Sequence, residues 1–457
     1  MAEGRRRKRQ RTRRVTVSLA PPASVQKLQT ALHDKAKQSP AQRFHALYDK
    51  VYRKDILAHA YACCRANGGA AGVDGQRFAD IEAYGPERWL GELAQELKGQ
   101  TYRPAAVRRV YIPKPDGKQR PLGIPTVKDR VVQMAAMLVL EPIFEADMPP
   151  EQYGYRPRRS ALDAVTEVRR LLIAGHGQVV DADLSGYFDS IPHAELMKSV
   201  ARRVVDGSML HLIKMWLEAP IEEDDGQGGK RRTTPGKDSG RGTPQGAPIS
   251  PLLSNLYMRR FVLGWKHLGH DRRLGARIVN YADDFVICCR GHVQEAMDAM
   301  REMMKRLKLT VNESKTHIRR VPEETFDFLG YTFGRCYWWK NGRPYIGAKP
   351  SRKRIGRICR AISEMTGRGY VSQTAQELVA RLNRMLRGWA NYFCLGPVSR
   401  AYQYVDRHSR HRLRQWLRRK HGERRIDYKK YSDPYVNGQL GLILLAGLRR
   451  GSACAKS

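Results

Sequence analysis

Residues 277–289 read RIVNYADDFVICC, and the architecture follows from whether this stretch is a hairpin. Two apolar arms, Ile278-Val279 and Phe285-Val286-Ile287, flank a polar tip, Asn280-Tyr281-Ala282-Asp283-Asp284. β-Branched and aromatic residues on both sides of Asp-Asp predict a tight β-hairpin inside a hydrophobic layer. Two carboxylates at the end of such a layer are costly to desolvate unless a cation neutralises them. Mg²⁺ suits that position, because it takes one or two carboxylates and completes its shell with phosphate oxygens and water. Asp-Asp on its own reads better as a solvated turn. A third carboxylate and a nucleic-acid-binding frame elsewhere in the chain separate the two readings.

The third carboxylate lies in residues 178–191, QVVDADLSGYFDSI. Val179-Val180 open a strand in which Asp181 and Asp183 share one face by two-residue alternation, opposite Ala182. Ser185-Gly186 breaks the strand, and Tyr187-Phe188 return apolar bulk beside the acidic face. Carboxylates in an apolar strand require a cation or strong donors. Together with the Asp-Asp hairpin, Asp183 points to two-metal phosphoryl transfer.

The frame is visible in the charge. The 457 residues hold 83 Lys and Arg against 45 Asp and Glu, a formal net charge of +38. Such an excess calls for a polyanionic partner, in a chain long enough for about three modules. An anionic membrane is the competing partner. The longest apolar runs, such as residues 131–140, fall well short of the ~20 residues a spanning helix needs, and no signal peptide is evident. Nucleic acid without membrane is therefore expected. The eight cysteines include no Cys-x-x-Cys pair, which argues against a zinc ribbon and for small buried hydrophobes in a reducing cytoplasm.

Along the chain, residues 5–14 (RRRKRQRTRR) are a like-charge block without apolar periodicity. They predict a disordered basic arm over residues 1–40, holding only a weak helix candidate. Residues 108–124 read as strand, turn and strand with a basic tip, where Lys114 and Arg120 can clamp a triphosphate or simply contact a phosphate backbone. A buried helix follows from Asp129 to about Leu140. Residues 222–242 lack periodicity and predict a flexible surface loop. It delivers GTPQGAPISP, in which glycines around Gln245 permit close backbone approach to a ligand. Beyond residue 349 the chain is basic and helical. Leu378, Leu382, Leu386 and Trp389 form one face, with Arg381, Arg384 and Arg387 off it. Residues 401–421 repeat the theme with Arg410, Arg414 and Arg418. Helices of this kind pack on one side and meet phosphate on the other, whereas residues 427–457 carry no functional signal.

The series IPKPDGKQRPLGIP, QYGYRPRRSALDAV, DADLSGYFD, GTPQGAPISPLLSNLYM, NYADDFV, ESKT and FDFLGYTF, followed by LRGWANYF, resembles a bacterial group II intron reverse transcriptase/maturase. The resemblance runs from about residue 43 to residue 421. It implies an α+β right-hand polymerase, with fingers and palm over residues 41–340, a basic helical thumb or maturase domain over 341–421, and a short segment over 422–457. The activity implied is RNA-directed DNA synthesis, with two Mg²⁺ ions, for which Mn²⁺ can substitute, held by Asp183, Asp283 and Asp284. Phe188 matches the aromatic that walls off a ribose 2′-hydroxyl, and Gln245 a residue lining the nucleotide pocket. Lys114, Arg120 and Lys315 match contacts to the incoming nucleotide. The implied partners are an intron RNA whose splicing and retrohoming the protein assists, an RNA template, a DNA primer or target, and deoxynucleoside triphosphates, all in a bacterial cytoplasm. With no Cys-x-x-Cys and little chain beyond the thumb, the sequence resembles the subgroup lacking an endonuclease. A retron-like enzyme and a splicing factor acting by RNA binding alone are the alternatives. LRGWANYF and the absence of a Val-Thr-Gly thumb signature argue against the first, and the complete carboxylate set against the second.

Overall fold

The computed structural model describes residues 19–113, 117, 119–225, 229–338 and 340–448. The chain divides into two compact units, Met1–Pro157 with Leu184–Leu268 and Met300–Val311, and Arg158–Asp183 with Gly269–Ala299 and Asn312–Ser457. Helices and mainly antiparallel sheets make both, as the α+β expectation requires. No described helix is long and apolar enough to cross a membrane.

The first unit is built on the Val127–Glu145 helix, which is buried on nearly every side. Thr126 caps it by accepting from the Asp129 amide. Asp129 in turn accepts from Tyr102 Oη at 2.6 Å and Thr126 Oγ1 at 2.7 Å, and Trp216 Nε1 donates to Tyr102. The buried polar groups thus satisfy one another. Arg203, 1 % exposed, donates to both Asp147 oxygens and to the carbonyls of Ala36, Ser39 and Gln42. Removing one side of such a pair leaves a buried charge and costs about 3–5 kcal/mol.

Two expectations are corrected in this unit. The helix candidate within the basic arm is a helix over Ala23–Gln38, where Val25, Leu32 and Ala36 form a buried stripe, so the disorder expected to residue 40 does not extend over it. Gln29 Nε2 also donates to the Leu138 carbonyl. Three apolar contacts in a polar helix are too sparse a pattern to outweigh the surrounding charge in the sequence. Residues 5–14 lie outside the described residues. The loop expected over 222–242 contains a hairpin, Ile221–Asp224 with Lys230–Thr233. It has no apolar alternation because its register is charge-matched, Glu222 with Arg232, Glu223 with Arg231 and Asp224 with Lys230. It extends the Val107–Pro113 and Gln119–Ile124 hairpin to four strands.

The second unit holds a four-stranded antiparallel sheet ordered Ala276–Tyr281, Asp284–Cys289, Gln178–Ala182, His317–Arg320. The three strands Phe326–Phe328, Tyr331–Tyr337 and Pro344–Pro350 form another. The helices Arg352–Met365, Ala375–Tyr392 and Ser399–Lys420 share one core with Tyr431, Val436, Leu442 and Leu445. The segment beyond residue 421 is thus part of the same core. Asp406 accepts from the amides of Leu445 and Ala446, and Asn383 bonds the main chain at Gly441 and Ile443.

Candidate active site

The 277–289 stretch is a hairpin closed by the Tyr281–Asp284 pair, with Ala282-Asp283 as its two-residue tip. Ala282 is left-handed, φ +60°, a conformation that costs a non-glycine residue about 1–3 kcal/mol unless its surroundings enforce it. Asn280 supplies the enforcement. Its side chain is fully buried, and Nδ2 donates to the Ala282 carbonyl at 2.8 Å and to that of Asp284 at 3.4 Å. Asn280 is thus a structural member of the site that a pattern of apolar arms does not reveal.

Gln178–Ala182 pairs with Asp284–Cys289 up to Ala182 opposite Phe285. The pairing ends there, and the next residues along the two segments are Asp183 and Asp284. Asp183, just past the strand end, is held from the far side by residues 312–315. Asn312 Nδ2 and Lys315 Nζ both lie 3.1 Å from its Oδ2, and the Asn312 amide donates to its carbonyl at 2.8 Å. Ser314 Oγ donates to Asn312 Oδ1, which fixes the amide's orientation. Lys315 was expected to reach a triphosphate; here it is paired with Asp183. Asn312 has no sequence signal beyond standing beside ESKT.

The charges in this corner feel one another. Burial raises the Asp181 carboxyl to about 7; Arg319 opposes the shift, and Asp284, Asp327 and Asp183 add to it. Burial raises the Tyr392 phenol to about 12, with Arg354 opposing and Tyr281 and Asp284 adding. Tyr392, from the Ala375–Tyr392 helix, donates to the Leu329 carbonyl at 2.7 Å. Among the described residues no three His, Cys, Asp or Glu side chains converge to hold a metal ion. The three aspartates therefore do not form a closed cage. Their hard oxygen donors nevertheless suit Mg²⁺, which leaves much of its shell to water and phosphate.

The other expected site residues lie in the first unit. Phe188 is half-buried on the short Tyr187–Ser190 helix, edge-on to the Tyr187 ring at 5.7 Å. Its carbonyl accepts from the Thr243 amide at 2.7 Å, and Gln245 Nε2 donates to Asp189 Oδ2 at 3.0 Å. Gly246 also has a structural reason of its own. Gly246, φ +114°, passes so close to the Gly123 carbonyl that a Cβ would sit 2.6 Å from it, and the Gly123 amide donates to the Gln245 carbonyl. The close approach is between two stretches of the protein's own main chain. Arg120 pairs with Ile112 in the basic hairpin, and Lys114 lies outside the described residues.

The basic helices are less free than their sequences suggest. Arg410 and Arg414 both pair with Asp433, and Arg414 also donates to the Tyr431 carbonyl, because the C-terminal segment folds back on their helix. Arg381 donates to Gln373 and lies over the Tyr370 ring, and Arg418 donates to the Arg424 carbonyl. Arg384 and Arg387 are exposed. The Arg352–Met365 helix adds exposed Arg352, Lys353, Arg357 and Arg360.

Residues 112–333 match the family model for reverse transcriptase (RNA-dependent DNA polymerase), and residues 355–432 match the group II intron maturase-specific domain. The chain is 32% identical over 349 residues to Protein YkfC of Escherichia coli (strain K12), covering 67% of this chain and 87% of YkfC. It is 30% identical over 352 residues to the group II intron-encoded protein LtrA of Lactococcus lactis subsp. cremoris, covering 63% of this chain and 56% of LtrA. A putative COX1/OXI3 intron 1 protein of Saccharomyces cerevisiae is 27% identical over 294 residues, covering 53% of this chain and 34% of that protein. The carboxylate-bearing sheet lies largely in the reverse transcriptase match, and most of the helical core beyond it in the maturase match. The chain belongs to the group II intron reverse transcriptase/maturase family.

Proposed function

We propose that Asp183, Asp283 and Asp284 are the catalytic carboxylates of an RNA-directed DNA polymerase working with two Mg²⁺ ions, and that the protein binds its intron RNA and assists splicing and retrohoming. The observation that supports the catalytic reading is the antiparallel register ending at Ala182 opposite Phe285, the residues next to Asp183 and Asp284, inside the reverse transcriptase match. Bound divalent cations would activate a primer 3′-hydroxyl and neutralise the triphosphate. The protein's own residues orient the groups. Asn312 and Lys315 fix the Asp183 carboxylate, and Asn280 fixes the turn that presents Asp283 and Asp284. Lys315 exchanges Asp183 for an anionic ligand when the site fills, which reconciles its present pairing with a role near the triphosphate. Phe188 excludes a 2′-hydroxyl, Gln245 lines the nucleotide pocket, and Lys114 and Arg120 contact the incoming nucleotide. Intron RNA binding draws on exposed cations such as Arg384 and Arg387, whereas Arg381, Arg410, Arg414 and Arg418 hold the domain together.

The test is primer extension on an RNA template with deoxynucleotides and Mg²⁺, paired with a splicing assay on the intron RNA at limiting Mg²⁺. Extension with no effect on splicing would leave a reverse transcriptase and remove the maturase role. Splicing stimulation with no extension would do the reverse. Asn312→Leu keeps the side chain's bulk but removes its donor to Asp183. A hydrogen bond to a charged group contributes about 1.5–3 kcal/mol, so extension should slow by at least roughly ten-fold. RNA affinity should stay unchanged, and an undiminished rate would detach Asn312 from the site.

A further inference from the structure

The hairpin of Tyr331–Tyr337 and Pro344–Pro350 ends in an aromatic tip with no part in the site above. Tyr337 is 62 % exposed, the most of any large hydrophobic residue described, and Trp338 is 53 % exposed. Tyr345 backs Trp338, with ring centroids 4.7 Å apart and planes at 31°. The Trp338 amide donates to the Arg343 carbonyl, and the Gly342 amide to the Trp338 carbonyl. The ladder thus continues past its last strand pair, Tyr337 with Pro344. Cross-strand partners share a face, so Trp338, Tyr345 and Arg343 lie on one side of the ribbon, with Tyr337 and Arg335 on the other. The chain through this hairpin is basic. Residues 328–363 contain nine Lys or Arg and no Asp or Glu, and Arg335, Lys340, Arg343 and Lys349 are exposed along this hairpin.

Exposed rings beside exposed cations select a particular partner. A protein interface is depleted of lysine at its core, and a duplex has its base faces already stacked. An unpaired base offers a free π face, and its flanking phosphates meet the cations. We propose that this tip is a stacking platform for single-stranded RNA, with Trp338 taking a base and Arg343, on the same face, a flanking phosphate. The proposal rests on the RNA-binding reading above and adds a site to it.

The test uses the full chain and short oligoadenylate RNA, followed by fluorescence anisotropy over a salt series. Trp338→Leu should weaken binding by about ten-fold, the scale of one lost base–aromatic stack, with the salt slope unchanged. Trp338→Phe should recover most of the loss, and a fully abasic RNA should bind wild type and Trp338→Leu alike. Equal affinity of Trp338→Leu and wild type for oligoadenylate overturns the platform, as does an equal loss on abasic RNA. A loss as large on oligodeoxyadenylate overturns the assignment to RNA in favour of single-stranded DNA. Wild-type protein that binds no RNA at all would instead sink the RNA-binding reading.

Discussion

Alanine at both Asp283 and Asp284 is expected to abolish primer extension on an RNA template, a loss of at least about 10³-fold, while RNA affinity changes by less than two-fold. The two carboxylates are the only acids in the hairpin tip, and together with Asp183 they supply the hard oxygen donors of the proposed site. Folding should survive. The tip is held by the Tyr281–Asp284 backbone pair and by the Asn280 amide on the carbonyls of Ala282 and Asp284, and alanine keeps all of these main-chain groups. Single-turnover extension measured beside RNA binding separates loss of chemistry from loss of structure. Retained synthesis in Mg²⁺ would remove Asp283 and Asp284 from the catalytic set. Asp283→Asn with Asp284→Asn serves as the second variant, since it keeps the shape and removes only the charge. Rescue of that pair to near wild-type rate would mean that geometry, not anionic ligation, is what the tip provides.

The hairpin was legible in the sequence because its apolar arms are buried on both faces while its tip is polar, a contrast that survives without tertiary context. The Asp183 strand was legible for the same reason. What escaped is carried by polar groups whose role appears only when distant segments meet. Asn312 is 129 residues from Asp183, and nothing in residues 313–316 marks it as the donor that orients a carboxylate. Asn280 looked like part of a solvated tip, yet its buried amide is what holds Ala282 left-handed. The 221–233 hairpin was missed because matched charges, not alternating apolar residues, set its register. The arginines' own partners were hidden for a related reason. A helix shows which of its faces is basic, but not that Asp433 returns to occupy Arg410 and Arg414. Charge counts therefore mark the basic helices, but they do not show which of the arginines already bond to the protein's own groups.

Phe188→Ala is expected to let ribonucleotides into the growing strand, lowering discrimination against them by roughly 10- to 200-fold, the range that a change of a few carbon atoms in a binding pocket commands. Deoxynucleotide incorporation should fall far less, because the ring acts by filling space and not by bonding to the sugar. The residue's setting suits a rigid wall. It lies on a single helical turn, edge-on to the buried Tyr187 ring, whose hydroxyl donates to the Ser254 carbonyl at 2.6 Å. Its own carbonyl is held by the Thr243 amide. These bonds run through the main chain or through Tyr187, so truncation at Phe188 leaves them in place and opens space without releasing the segment. Phe188→Tyr, which keeps the ring, should discriminate like the wild type, and Phe188→Val should fall between the two. Competition between ribo- and deoxynucleotides in primer extension reads the ratio directly. If all three variants discriminate as the wild type does, selection against the 2′-hydroxyl resides elsewhere, and Phe188 serves only to pack its helical turn against Tyr187.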